Sequence, residues 1–258
     1  MKQYNGEKYI VSITSFGKRL DSLPQTIFTL HKQEYNNFHI MVTISKRSVP
    51  FISHDLALLL RANLFELNVI EDNADLGPHT KYYYAMQKYG QLPIMTFDDD
   101  RYYAPFMVGN LVKKYESLKY KSVISNCAIE MQRTKTGELL PYPDWCTHRL
   151  APNRRSFIAM AEGFAGVLYP PNCFANLSAQ LTEMMKCKYD DDLWLKVLEI
   201  RQGIPVTQSN YEFQSKDAID IEDAMQYNLH ENQNAGNVNR VNMCRLFSSD
   251  LLKGFTKE

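Results

Sequence analysis

Neither sign of charge is in excess in this sequence. Lys plus Arg number 29, Asp plus Glu number 29, and the formal net charge over 258 residues is +0. That balance excludes a globally basic surface for duplex nucleic acid, so no nucleic-acid partner is expected. No apolar run is long enough to span a bilayer, and the polar start, residues 1–8, lacks a signal-peptide pattern. A cytoplasmic location is therefore expected, with any work at a membrane being peripheral association. Cysteine is scarce, at 5 residues. Cys127, Cys146, Cys173, Cys187 and Cys244 are widely spaced and lack the close pairing a zinc site needs, which predicts reduced thiols and no disulfide framework. Internal repeats, low-complexity stretches and flexible linkers are absent as well. Hydrophobic residues make up 45%, enough for a sizeable core. A single domain over 1–258 is expected, with a core over about 8–205 and a C-terminal extension over 206–258.

What is present alternates. Residues 9–15, Tyr-Ile-Val-Ser-Ile-Thr-Ser, are a β-branched run ending in small hydroxyl side chains, as in a buried first strand. The spacing predicts a helix over 23–33 with Pro24 in its first turn. Strands over 39–45, 66–70 and 92–97 then alternate with helices over 53–63 and 80–89. The second half is less regular, with strands over 122–126 and 164–169 and a helix over 190–202. Residues 137–152 read as a loop with Pro and aromatics, and 208–242 as a polar, Asn-rich loop. Such alternation predicts an α/β fold: an open, mostly parallel sheet with helices on both faces. Ligands bind such sheets beyond the carboxyl ends of the strands. Ser12, Thr14 and Ser15 mark one such end, residues 71–75 a second, and Asp98, Asp99 and Asp100 a third, so a polar cleft is expected there.

Three consecutive carboxylates repel one another, and a fold keeps them close when a cation neutralises them. All-oxygen ligation selects Mg²⁺ or Mn²⁺. A solvated Asp-rich turn is the plain alternative. The triplet, however, follows the apolar run Leu92-Pro93-Ile94-Met95-Thr96-Phe97, and that context favours a metal site.

Thr96-Phe97-Asp98-Asp99-Asp100 resembles the "DxD" motif of GT-A glycosyltransferases, of the type that builds bacterial capsule and lipopolysaccharide. Other segments match that family in the expected order. Val11-Ser12-Ile13-Thr14-Ser15 with Arg19 resembles its first strand and nucleotide-binding turn. Gly77-Pro78-His79-Thr80-Lys81 resembles its Gly-Pro-basic segment. Glu162-Gly163-Phe164-Ala165-Gly166-Val167-Leu168-Tyr169-Pro170-Pro171 resembles its acceptor-side strand. Asp190-Asp191-Asp192-Leu193-Trp194-Leu195 resembles its acidic helix start. The likeness spans about residues 8–205.

The resemblance implies a Rossmann-like GT-A fold and a nucleoside diphosphate sugar as donor, with UDP the commonest base. It also implies a glycan or lipid-linked glycan acceptor. Asp98 and Asp100 would hold the metal, and Asp99 the donor ribose or sugar. Thr14, Ser15 and Arg19 would sit near the nucleotide, with Asp72 or Asn73 near its base or ribose. Lys81 could pair with phosphate or lie exposed on its helix. An inverting transferase needs a general base for the acceptor hydroxyl, and a carboxylate at a helix N-terminus suits that role. Counting back from Gly203 assigns the base to Asp192 and the neighbouring acidic position to Asp191. The extra Asp190 leaves the register open by one residue, and simple helix capping is the alternative. His230 could complete the metal site or be merely solvated. Trp145 could stack on an acceptor sugar or anchor its loop, while Trp194 is expected to pack its helix on the sheet.

Two other functions compete with glycosyl transfer. A nucleotidyltransferase would want a fuller Gly-rich basic loop than Phe16-Gly17-Lys18-Arg19. A non-catalytic, cation-dependent glycan-binding module would bind sugar without nucleotide.

Overall fold

The structure, a computed structural model, describes residues 5–227 and 238–258. Its first half alternates as the sequence predicts: β1 (Tyr9–Thr14), α1 (Leu23–His31), β2 (Phe38–Ser45), α2 (His54–Arg61), β3 (Glu66–Ile70), α3 (Thr80–Tyr89) and β4 (Ile94–Thr96). Shorter elements follow: β5 (Arg101–Tyr103), α4 (Met107–Ser117), β6 (Val123–Ser125), β7 (Ala128–Glu130), β8 (Arg155–Ser156), β9 (Ala159–Ala161) and β10 (Val167–Tyr169). The chain continues through α5 (Leu181–Met184), α6 (Asp191–Gln202), β11 (Val206–Gln208) and β12 (Ala218–Asp220). Helices Val238–Leu246 and Ser248–Lys253 come last.

Eight strands form one sheet in the order β3-β2-β1-β4-β10-β6-β11-β8. β1 pairs in parallel with both β2 and β4, while β10 runs antiparallel between β4 and β6 and β8 runs antiparallel on the edge. The expected mostly parallel α/β sheet is present. Strand order reverses at β1, because β2 and β3 lie on one side of it and β4 on the other. Such a switch point opens a crevice at the carboxyl ends of β1 and β4.

β1 and β2 are buried almost throughout, which is why they show no apolar-polar alternation and place even Ser12, His39 and Thr43 in the interior. Val11, Ile13, Ile27, Leu30, Val42 and Phe97 share one core cluster. Trp145, Trp194, Tyr169 and Phe247 belong to a second, which includes residues of the last two helices. Trp145 is fully buried and its Nε1 donates to the Leu140 carbonyl at 2.9 Å. It therefore anchors its loop and offers no face to an acceptor sugar. Trp194, expected to pack its helix on the sheet, is fully buried and lies edge-on to Phe247 between the last two helices, with ring centroids 5.6 Å apart.

Two sequence expectations change. The strand expected over 164–169 begins only at Val167, after a 3-10 turn at Gly163–Ala165, because Gly166 takes φ +86°. Residues 208–242 are not one loop. They include β12, which pairs antiparallel with β5, and the start of helix Val238–Leu246. β5 lies far away in sequence, so no local pattern announces that pairing. Among the described residues no helix is long and apolar enough to cross a membrane.

Candidate active site

A cleft of about 500 Å³ opens where β1, β2 and β4 end. Thr14, Ser15, Arg19, Lys81, Asp98 and Asp99 line it, so these sequence-selected residues converge in space. Asp72 and Asn73 do not line it. They are exposed in a 3-10 turn, Asp72–Ala74, where Asp72 Oδ1 accepts from the Arg47 backbone N–H at 2.7 Å. Asp75 occupies the cleft wall instead, accepting from the Gly77 N–H at 2.9 Å and pairing with the Arg47 guanidinium. The sequence reading missed Arg47, Ser48 and the two exposed rings of Phe16 and Phe51 on the same wall. No motif links these residues, because they come from the ends of two different strands.

The aspartate triplet leaves β4 in a fixed direction. Phe97 is buried, and its ring fills the space that a Cβ on Gly166 would occupy, 2.5 Å from the ring edge. The Asp98 N–H then donates to the Tyr103 hydroxyl at 2.9 Å. From there Asp98 turns to Lys81, while Asp99 and Asp100 share Arg19. Asp98 faces the cleft with its side chain 30% exposed and accepts from Lys81 Nζ at 2.6 Å. Asp99 is held by the Arg19 fork, with Nε donating at 3.0 Å and Nη2 to the other oxygen. Asp100 lies 2.9 Å from Arg19 Nη2 through Oδ2, while its Oδ1 is buried without a hydrogen-bond partner among the described residues.

Arg19 thus lines the cleft, but its guanidinium braces Asp99 and Asp100 and donates to the Tyr227 carbonyl at 3.3 Å. Burial opposes the charge on Arg19, yet the neighbouring aspartates raise its pKa above the ordinary value. Burial pushes Asp100 up to about 6, against the pull of Arg19. Burial would also raise Asp98, but the Lys81 ammonium holds it below the usual carboxylate range.

A second acidic group meets the first from the other side. Asp190 caps α6, its Oδ1 accepting from the Leu193 N–H at 3.1 Å, and its side chain is fully buried. That capping use sets Asp190 apart from its two neighbours. Asp191 lies 3.2 Å from Lys81 Nζ. Asp192 accepts from the Gly163 N–H through both oxygens, each at 3.2 Å. Lys81 is therefore not an exposed helix lysine. It is 5% exposed and joins Asp98 to Asp191. Burial disfavours its charge, but Asp191, Asp98 and Asp192 together raise its pKa well above the ordinary value. Asp192 is raised well above the carboxylate range by burial and by Asp191, with Arg240 and Lys81 opposing.

Arg240 is the residue the sequence hid most completely, since it follows an Asn-rich stretch with no motif. Its Nη2 donates to Asp190 at 2.7 Å and lies 3.6 Å from Asp192. His230 lies outside the described residues.

Asp98 lines the cleft while Asp100 lies behind it, and the carboxylates of both are of the chemical type that suits a divalent cation. Asp100 Oδ1 is buried without a hydrogen-bond partner among the described residues, with Arg101 Nε 3.9 Å away, and carboxylate oxygens are what a hard divalent cation takes. No three His, Cys, Asp or Glu side chains converge as a complete ligand set among the described residues. Remaining ligands would have to come from water or substrate, as is usual for Mg²⁺.

No protein-family model and no curated protein matches the chain. Solved structures match it in shape. Residues 1–349 of TarS from S. aureus align with a TM-score of 0.48 at 12% identity, covering 79% of this chain and 58% of that one. The mannosyltransferase PcManGT from Pyrobaculum calidifontis, in complex with GDP-Man and Mn²⁺, gives 0.36 at 13% identity, covering 46% and 34%. Glucosyl-3-phosphoglycerate synthase from Mycobacterium tuberculosis, with Mg²⁺ and UDP, gives 0.36 at 12%, covering 46% and 43%. The chain thus covers less than two thirds of each of these structures.

Proposed function

We propose that the chain is a divalent-metal-dependent glycosyltransferase. It moves a sugar from a nucleoside diphosphate sugar, foremost a UDP-sugar, to a hydroxyl of a glycan or lipid-linked glycan. The product belongs to a surface polysaccharide or lipooligosaccharide, and the enzyme works in the cytoplasm or peripherally at a membrane face. One observation carries the reading: two acidic groups, about ninety residues apart in sequence, meet on the buried ammonium of Lys81 beside a polar cleft.

The chemistry follows from that juxtaposition. The nucleotide occupies the cleft, with Phe16 and Phe51 offering apolar faces and Thr14 and Ser15 offering hydroxyls. Asp98 and Asp100 would hold Mn²⁺ or Mg²⁺, which when bound would supply neutralising charge for the leaving diphosphate. Arg19 keeps Asp99 and Asp100 in place, and Lys81 holds the donor-side Asp98 against the acceptor-side Asp191. Asp192 is the general base. Its raised proton affinity suits taking the proton from an acceptor hydroxyl as that oxygen attacks the anomeric carbon. The bond to the diphosphate breaks with its electron pair going to the leaving oxygen, and the sugar inverts.

Calorimetry with UDP and Mn²⁺, together with UDP release from a panel of UDP-sugars, tests this. We expect metal-dependent heat that Asp100→Ala weakens. Asp192→Asn should keep the heat and lose turnover. No heat with any nucleoside diphosphate, with sugar binding retained, would establish a glycan-binding module instead. Pyrophosphate release from a nucleoside triphosphate and a sugar phosphate would establish a nucleotidyltransferase.

A further inference from the structure

The helix Val238–Leu246 delivers one cation into the acidic group at the start of α6. Arg240 forks onto Asp190, with Nε to Oδ2 and Nη2 to Oδ1, the latter at 2.7 Å. The same Nη2 lies 3.6 Å from Asp192 Oδ2, and Nη1 lies 4.0 Å from Glu162 Oε1. The guanidinium stacks over the Tyr142 ring with 4.5 Å to its centroid. Its side chain is 17% exposed, and Asp190 beneath it is fully buried. A planar fork that pairs with one carboxylate while facing two more is a task for arginine that lysine cannot copy.

This arrangement exceeds what helix capping needs. Asp190 already accepts from the Leu193 N–H, and a cap requires no counter-cation. The cation is needed by the group as a whole. Asp192 faces Asp191 on its own helix, Lys81 from α3, Glu162 and the Gly163 N–H from the turn before β10, Tyr142 from the loop before it, and Tyr169 from β10. Lys81 is shared between Asp98 and Asp191. Arg240 is the cation that reaches Asp190, Asp192 and Glu162 together; Arg149 also acts on Glu162, and the buried His79 faces Asp190 and Asp191.

We infer that Arg240 is a positioning residue for Asp192: anchored on Asp190 and Tyr142, its guanidinium holds the Asp192 carboxylate in place and favours its charged form. The helix Val238–Leu246 is then part of the reaction machinery rather than an appendage. The inference rests on Asp192 acting as base, but its own test needs no sugar substrate. Burial and Asp191 raise the proton affinity of Asp192, and Arg240 is the foremost opposing charge. Removing the guanidinium must therefore raise that affinity further.

The experiment is a carboxyl-¹³C NMR titration of the full chain labelled at Asp Cγ, with the Asp192 signal assigned from its loss in Asp192→Asn. In Arg240→Gln the Asp192 midpoint should rise by about one pH unit or more. In Arg240→Lys, which keeps the charge but cannot fork, the rise should be smaller, about half a unit. A merely structural latch would lower the melting temperature in both variants and leave the midpoint where it is, and that result overturns the inference. Should Arg240→Gln not fold, Arg240→Lys decides alone, with an unmoved midpoint counting against. Loss of turnover in Asp192→Asn is read separately. Full turnover there would sink the base assignment, whereas an inactive Asp192→Asn with an unmoved Arg240→Gln midpoint would sink only the role of Arg240.

Discussion

The Gly163 amide N–H lies 3.2 Å from both carboxylate oxygens of Asp192, and a Cβ on Gly163 would sit 2.7 Å from Asp192 Oδ1. The glycine is there for close approach. It lets the backbone reach the proposed base and fix its orientation without displacing it. Gly163→Ala should push that carboxylate aside. Because Gly163 is not part of the cleft wall, donor binding should survive. The expected outcome is a fall of about tenfold to a hundredfold in turnover, since a misplacement on the ångström scale is enough. Calorimetric affinity for UDP with Mn²⁺ should stay within about twofold; equal losses of binding and turnover would mean that Gly163 serves the donor site.

Lys81 is a buried cation between two carboxylates, and replacing it leaves both unpaired. Lys81→Met should destabilise the protein by about 3–5 kcal/mol in urea unfolding, the range for breaking a buried pair from one side. A change below about 1 kcal/mol would mean that water already solvates Asp98 and Asp191, and the bridge would lose its importance.

Asp100 gives a pH-dependent signature. Its proton affinity is pushed up to about 6 by burial, so the folded state binds the proton more tightly than the unfolded chain does. The resulting destabilisation is absent below an ordinary carboxylate pKa of about 4 and grows as pH rises through about 6. Asp100→Asn should therefore match the parent near pH 4 and exceed it in metal-free buffer at pH 7 to 8, by about 1–3 kcal/mol. Mn²⁺ should raise the melting temperature of the parent more than that of the variant. A variant less stable than the parent at pH 7 would show that the Arg19 pairing outweighs the burial of charge.

Gly166 tests the support beneath the triplet. It adopts φ +86°, and a Cβ there would meet the Phe97 ring at 2.5 Å. Gly166→Ala combines an unfavourable backbone region with overpacking against a buried ring, so a loss of about 2–4 kcal/mol is expected in urea unfolding. Metal-dependent UDP binding should weaken too, because Phe97 sets the exit of Asp98 from β4. Unchanged stability would mean that the ring can move away freely.

The alternation of strands and helices was legible because burial leaves a local imprint. The largely apolar, β-branched runs of β1 and β2 and the spacing of α1 and α3 carry their own structure. The candidate site was partly legible for a related reason. An acid triplet after a buried strand, and an acid run opening a helix, are contiguous, so Asp98 to Asp100 and Asp190 to Asp192 stand out without a structure. What the chain could not disclose locally is which charge answers which. Lys81 looked as though it could be exposed and proves to join both acid groups; Asp75 lines the cleft where Asp72 or Asn73 was expected; Asp190 caps a helix; and Arg240 arrives from an Asn-rich stretch to face three carboxylates.

Sequence by itself thus determined where the strands, helices and acids lie, because propensity and periodicity act over a few neighbouring residues. Tertiary structure alone decided the pairing of those acids with Arg19, Lys81 and Arg240. Coulomb forces and desolvation act through space, between groups that the sheet brings together from distant parts of the chain.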